Sequence, residues 1–351
     1  MASRFDRILI FNSAFPGDIV LTTPLVRAAS RAFPGAYLAF CTTAAGAGLL
    51  EGLPHLGRLI IYDKHGRDRG ILGLVKTAAR LRSERFDLVL SAHRSARTSI
   101  LLALAGIPVR VGWDRSALRW FYTHLVARKP GDHETRRNLR LLEPLGIQVD
   151  SLDHRPMLPV TAEEASLVSG RLGVGRLQGA GPLVLVAPGS VWATKRWLAG
   201  RFAELIDMLT ETLSAKVVLI GSPQDREQAD KVVAGCTSQV LDLIGKTDLR
   251  EAAALVRGAR LLVTGDSAPM HIAWAMDLPT VAIFGATTPE LGFAPLSEKC
   301  KVVQVKNLDC RPCGEHGPSR CKPGHFRCMR EITAAMVMDA CREMLGRHSG
   351  S

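Results

Sequence analysis

Three short segments of this 351-residue sequence put carboxylates and cations at turns between an apolar run and an amphipathic one. The first is Phe11-Asn-Ser-Ala-Phe-Pro-Gly-Asp18-Ile-Val-Leu-Thr-Thr-Pro24, where Asp18 follows a Pro16-Gly17 turn. Aspartate is among the best helix N-caps. A carboxylate at the carboxyl edge of a sheet can also act as general base toward a hydroxyl, and the spacing leaves both roles open. A dinucleotide-binding protein would show G-x-G-x-x-G here. Gly17 is the one glycine in the segment, so a nicotinamide or flavin reading loses its support. The second segment is Val186-Ala-Pro-Gly-Ser190-Val-Trp-Ala-Thr194-Lys195-Arg196-Trp197. A turn of small residues with backbone N–H groups, followed by adjacent cations, suits a diphosphate. The alternative is a solvated loop, with Trp197 opening the core face of the next helix. In the third segment, Leu261-Leu-Val-Thr-Gly265-Asp266-Ser267-Ala268-Pro269-Met270-His271, an apolar run ends at Gly265. Asp266 or Ser267 can cap the helix that follows, and Pro269 falls in its first turn, where proline is tolerated. Such a helix N-terminus is a ready anion site, and His271 either reaches the same ligand or packs.

The elements around these turns are short apolar strands alternating with amphipathic stretches of helical length. In the first half the expected strands are 7–12, 36–41, 58–62, 87–91 and 109–112, with helical periodicity over 19–32 and 70–85. The second series has strands at 183–187, 216–220, 240–243, 260–264 and 280–284, and helices at 198–213, 224–233, 249–256 and 268–276. This rhythm implies two α/β domains built on parallel sheets, expected at 1–175 and 176–351 with a Gly/Pro-bearing joint over 171–182. Ligands of such domains sit at the carboxyl ends of the strands, and a cleft between the two is the expected place for one.

Composition limits the function class. With 47% hydrophobic and 22% charged residues, a disordered or fibrous chain is excluded. No apolar run approaches the ~20 residues of a membrane span. The Ile8–Phe11 run is too brief for a signal peptide, so a cytoplasmic protein is expected. The formal charge of +12 is uneven: residues 1–180 hold 25 Lys+Arg against 15 Asp+Glu, and residues 181–351 hold 20 against 18. A cationic first half calls for an anionic partner. Arg94 and Arg97, just after the 87–91 strand, are candidates to clamp it or to be a solvated helix start. Basic residues interleaved with base-stacking aromatics are not seen, so nucleic acid is not the expected partner. Cys310-x2-Cys313-x7-Cys321-x6-Cys328 suggests a structural zinc site or a set of free or redox-active thiols, away from catalysis.

Together GDIVLTTP, PGSVWATKRW and GDSAPMHIAWAMDLPTVAIFGATTP resemble glycosyltransferase family 9, over roughly residues 5–346, with lipopolysaccharide heptosyltransferases of type II the nearest group. The resemblance implies a GT-B architecture of two Rossmann-like domains, acceptor on the first and nucleotide-sugar on the second. It implies inverting transfer of heptose from ADP-heptose to an anionic, lipid-linked Kdo/heptose inner core, at the cytoplasmic face of the inner membrane, without a metal-dependent mechanism. By position, Asp18 matches the catalytic base; Ser190, Lys195, Arg196, Thr247, Asp266, Ser267, Ala268 and His271 match donor contacts. Ala268 replaces the family's usual glycine and Pro269 is unusual there. Asp225 is the nearest match for an acidic ribose contact. The alternatives are another GT-B nucleotide-sugar enzyme, such as an epimerase, and more remotely a basic nucleic-acid-binding protein.

Overall fold

The computed structural model describes residues 5–177 and 180–347. Its contacts divide the chain into Met1–Pro159 and Val160–Ser351. The first unit holds β1 (Arg7–Phe11), β2 (Tyr37–Thr42), β3 (Arg58–Ile61), β4 (Leu88–Ser91), β5 (Val109–Trp113) and β6 (His124–Val126). The second holds β7 (Leu183–Ala187), β8 (Lys216–Leu219), β9 (Val240–Asp242), β10 (Leu261–Gly265), β11 (Thr280–Phe284) and β12 (Cys300–Gln304). The orders are β3-β2-β1-β4-β5-β6 and β12-β11-β10-β7-β8-β9. All pairings are parallel, with Ile8 opposite Leu38 and Leu88 in the first sheet, and Leu185 opposite Leu262 and Val218 in the second. Both units therefore have the doubly wound arrangement that the alternating pattern implied. The edge strands β6 and β12 are additional to that expectation.

A strand covered on both faces must be apolar along its buried length, and β1 obeys this from Ile8 to Phe11. Ile8 and Ile10 enter a core with Leu25, Val26 and Trp113, whereas Leu9 and Phe11 enter another with Tyr62, Leu74 and Leu81. In the second unit Val184 and Val186 pack with Phe202, Leu205 and Val263.

Two local expectations need correcting. The helix foreseen over 19–32 is two helices, α1 (Pro16–Val20) and α2 (Thr23–Ala32). Pro24 has no N–H to continue the ladder, and the Thr22 N–H turns back to Ile19 O at 3.0 Å. The stretch over 70–85 is one helix, α3 (Gly70–Ser83). Second, the division between units precedes the 171–182 joint. Helix α4 (Ala162–Arg171) packs on α5 (Leu249–Gly258), with Arg250 Nε 2.6 Å from Glu164 Oε1 and a further Arg171–Glu251 ion pair. Residues 178–179 of that joint lie outside the described residues.

Candidate functional site

Strand order reverses between β1 and β4 in the first unit and between β7 and β10 in the second. Connections leaving two such strands go to opposite faces, which opens a crevice at their carboxyl ends. The three segments singled out in the sequence, and Arg94, follow these four strands.

In the second unit two turns meet through an ion pair. Lys195, from the turn after β7, donates to Asp266 Oδ2 at 2.6 Å, with side-chain exposures of 11% and 8%. Thr287, just past β11, donates its hydroxyl to the same oxygen at 2.7 Å. A carboxylate this far from water needs such partners, and they fix it in place. Helix α6 (Ala268–Ala275) starts beside it, with Ala268 and Pro269 in its first two positions and Ser267 at the N-cap. The Ser267 hydroxyl makes no cap bond and lies 3.1 Å from Thr264 Oγ1. Pro269 carries no N–H and Met270 N donates to Ser267 O at 3.1 Å, so the helix start offers the Ala268 N–H and the positive end of its dipole, rather than a capping side chain, to an anion.

His271, one turn into α6, is 5% exposed, and its Nδ1 has no hydrogen-bond partner. Burial pushes its pKa down to about 4; Asp266 opposes the shift and Lys195 reinforces it. The ring is neutral at neutral pH and serves as a hydrogen-bonding group, not a cation. Arg196 donates from Nε to Ser190 O at 2.7 Å, closing the turn on itself. Trp197 is core: it is 2% exposed, its ring meets Phe202 edge-on at 4.9 Å, and Nε1 donates to Ile332 O at 3.1 Å.

Asp225 stands after β8 and accepts from Ser222 N at 2.9 Å and Ser222 Oγ at 2.7 Å. It presses on the Pro188–Ser190 turn so closely that a Cβ on Gly189 would lie 2.1 Å from Asp225 Cγ. Only glycine fits there. Thr247 is further out, past the edge strand β9, next to the Asp248–Glu251 capping box of α5. The structure thus gathers Ser190, Lys195, Asp266, Ser267, Ala268 and His271 at the reversal point. Asp225 borders them, and Thr247 lies two strands away from β7.

The first unit is organised differently. Asp18 is the third residue of α1, whose N-cap position is Phe15 with no side-chain cap, so the capping role is overturned. Pro16, with its φ preset for a helix, starts α1 two residues ahead of the carboxylate. The Asp18 carbonyl accepts from Thr22 Oγ1 at 2.7 Å and Asn12 Nδ2 at 3.3 Å, and Asn12 is buried at the end of β1. This anchors the main chain under a half-buried carboxylate. Beyond β4, His93 Nδ1 lies 2.7 Å from Thr98 Oγ1 and 3.5 Å from Ser13 Oγ. Burial, then Lys64 and Arg94, push its pKa down to about 4. Lys64 Nζ donates to Ser13 O at 2.7 Å, and burial lowers its own pKa.

The two arginines expected to act as one clamp have separate roles. Arg94 adjoins His93, whereas Arg97 donates to Tyr62 Oη, to Asp68 O at 2.6 Å and to Gly70 O at 2.9 Å. Arg97 ties down the loop before α3.

Residues 74–322, well over half of the chain, match the family model described as glycosyltransferase family 9 (heptosyltransferase). The chain belongs to glycosyltransferase family 9. It is 26% identical over 312 residues to lipopolysaccharide heptosyltransferase 2 of Escherichia coli K12, covering 85% of this chain and 88% of that protein. Among solved structures, a family 9 member from Veillonella parvula superposes with TM-score 0.86 at 25% identity, over 99% of both chains. Escherichia coli heptosyltransferase WaaC with ADP-2-deoxy-2-fluoro heptose gives TM-score 0.70 at 20% identity, over 96% of this chain and 99% of that one. The architecture is GT-B, and the protein is a glycosyltransferase.

Family membership directs attention to groups the sequence reading passed over. Thr287, a partner of Asp266, stands inside the GATTP stretch and could have been marked as a polar residue just past an apolar strand. Arg311 carries no such local sign. Its guanidinium donates to Thr287 O at 2.7 Å and to Val305 O, joining the cysteine-bearing segment to β11 and β12. Cys313 N donates to Ala286 O at 2.8 Å, and Thr194 Oγ1 donates to Pro318 O at 2.5 Å, so this segment packs beside the Lys195 turn. Cys310 Sγ is 3.9 Å from His325 Nε2, Cys313 Sγ donates to Cys310 O at 2.9 Å, and Cys328 is buried. Among the described residues, no group of three or more His, Cys, Asp or Glu side chains is set to hold a metal ion.

Proposed function

We propose that this family 9 enzyme transfers heptose from ADP-heptose to an anionic, lipid-linked inner-core saccharide, with inversion at the anomeric carbon. The observation that carries the reading is the Lys195–Asp266 pair beside the uncapped start of α6. A cation held by a buried carboxylate, next to the Ala268 N–H and the positive end of the α6 dipole, suits a diphosphate whose charge grows as it leaves. The names of the relatives support heptose as the sugar and lipopolysaccharide as the destination. The ADP-sugar bound to the WaaC structure supports adenine as the base.

The acceptor hydroxyl gives its proton to the Asp18 carboxylate as its oxygen attacks the anomeric carbon. The new C–O bond forms on the face opposite the breaking bond to ADP, and ADP departs with the bonding electron pair. Lys195 and the Ala268 N–H at the start of α6 hold the β-phosphate, and neutral His271 donates or accepts a hydrogen bond beside it. Ser190, Ser267 and Ala268 line the same phosphate site, Arg196 shapes its turn, and Asp225 with Thr247 borders the nucleoside. Arg94, beside Lys64 and His93, meets the acceptor's negative charge at the inner-membrane surface.

The experiment is a transfer assay with ADP-, UDP-, GDP- and CDP-sugars and a deacylated inner-core acceptor. Glycosylated acceptor formed from ADP-heptose alone is the expected result. Isomerised free nucleotide-sugar without transfer, or transfer from another nucleotide only, overturns the reading.

A further inference from the structure

Helix α3 presents the opposite of a usual surface pattern. Its inner face, Gly73, Leu74, Thr77, Ala78 and Leu81, is buried as expected. Its outer face begins with Ile71 at 79% exposure, Leu72 at 78% and Val75 at 50%. Large aliphatic side chains scattered singly on a surface need no explanation, but three within five residues at one helix end form a patch. The patch is ringed by charge of one sign: Arg67 and Arg69 precede it, Lys76 adjoins it, and all three are exposed. No Asp or Glu occurs within Gly70–Ser83. The carboxylate nearest in sequence, Asp68, is buried: its Oδ2 accepts from Asp63 N at 2.9 Å and its Oδ1 pairs with Arg67 Nε at 3.5 Å, so Arg69 and Lys76 carry most of the ring's charge.

An apolar tip inside a cationic ring is the composition that lies in a bilayer interface, with aliphatic groups among the acyl chains and cations against anionic headgroups. We propose that the N-terminal half of α3, with Arg67, Arg69 and Lys76, seats this chain on an anionic lipid surface. The occupant follows from charge complementarity, since residues 1–180 carry an excess of ten positive charges (25 against 15). The proposal rests on the lipid-linked acceptor of the preceding reading and gives it a geometry. Arg97, bonded to Asp68 O and Gly70 O, joins the start of α3 to the β4 edge where His93 and Arg94 stand. A membrane-anchored saccharide is thereby presented to the edge that carries those groups.

The test is co-sedimentation of the full chain with phosphatidylcholine vesicles, with and without phosphatidylglycerol. The wild type should partition onto the phosphatidylglycerol vesicles and hardly onto phosphatidylcholine alone. Ile71→Asn with Leu72→Asn should lower that partition tenfold or more. Arg69→Gln with Lys76→Gln should lower it about 25-fold, at about fivefold per cation. Because these positions are exposed, circular dichroism and transfer to a deacylated, water-soluble acceptor should stay at wild-type values. Wild-type partition by either double variant overturns the proposal, as does equal binding of the wild type to both vesicle types. So does a wild-type dimer that the Asn variant converts to monomer while vesicle binding is unchanged. Vesicle binding lost as expected, in a protein that transfers no sugar, would sink the heptosyl reading and leave the docking face standing.

Discussion

The two reversal points solve the same topological problem with opposite electrostatics. In the second unit the cation arrives already neutralised, Lys195 being locked to Asp266 and Asp266 to Thr287. On the function proposed above, anion affinity there is shared between this enclosed cation and the start of α6, both of which salt screens weakly. In the first unit Lys64 donates to a backbone carbonyl, and Arg94 and Lys64 both act on His93 as like charges. Both cations raise the positive potential around the neutral His93 ring. Under the proposed function, one edge would hold an anion of defined shape and the other would attract an anion of variable shape.

The largest effect that bears on this contrast is catalytic. Asp18→Asn preserves size and the α1 main-chain anchors but removes the proton acceptor, so kcat should fall ~10²–10⁴-fold with ADP affinity unchanged. Near wild-type turnover by the purified variant would remove Asp18 from the chemistry. Next, Lys195→Met strands a buried carboxylate and should cost about 3–5 kcal/mol in denaturant unfolding. Adding Asp266→Leu should restore much of that stability while ADP affinity stays low; an additive double variant would contradict the locked pair.

A smaller effect is shared by both edges. His93 and His271 have pKa values near 4 in the folded protein, against about 6.5 unfolded. Between those values the unfolded chain binds more protons, so stability is intact above about pH 7 and declines as pH falls from 6.5 toward 4. For His271 the loss at pH 5 is on the order of 2 kcal/mol, readable as a lower Tm that His271→Phe should flatten. Smaller again, Arg94→Gln should raise the acceptor KM about fivefold with ADP binding unchanged, and the wild-type acceptor KM should rise steeply with salt while ADP affinity barely moves. Equal salt dependence of the two substrates would erase the contrast. Least, a structural zinc at Cys310, Cys313, Cys321 and Cys328 would appear as about one metal per chain on elemental analysis; metal-free, folded, active protein would leave four free thiols.

What the residues disclosed on their own depended on how local the information was. Strands such as Arg7–Phe11 and Leu183–Ala187 are buried on both faces, so their apolar runs were legible. His124–Val126 and Cys300–Gln304 are edge strands with one buried residue each, and such short, largely solvent-facing edges look like loops. The three segments were visible as turn chemistry, but the bond between Lys195 and Asp266 joins residues 71 positions apart and only the strand order brings them together. Asp18 was recognisable as a special carboxylate, and its capping role failed because a proline two residues earlier sets the helix start.

The contiguity of the first unit has a consequence for how the chain is made. All six strands of its sheet lie within residues 7–126, and the unit is complete by Pro159. The second sheet's last strand ends at Gln304, 145 residues later (304 − 159), so a ribosome working at ~5–20 residues per second allows about 7–29 s before it is available. The cationic half can therefore mature first, and the half that closes around an ion pair is assembled after it.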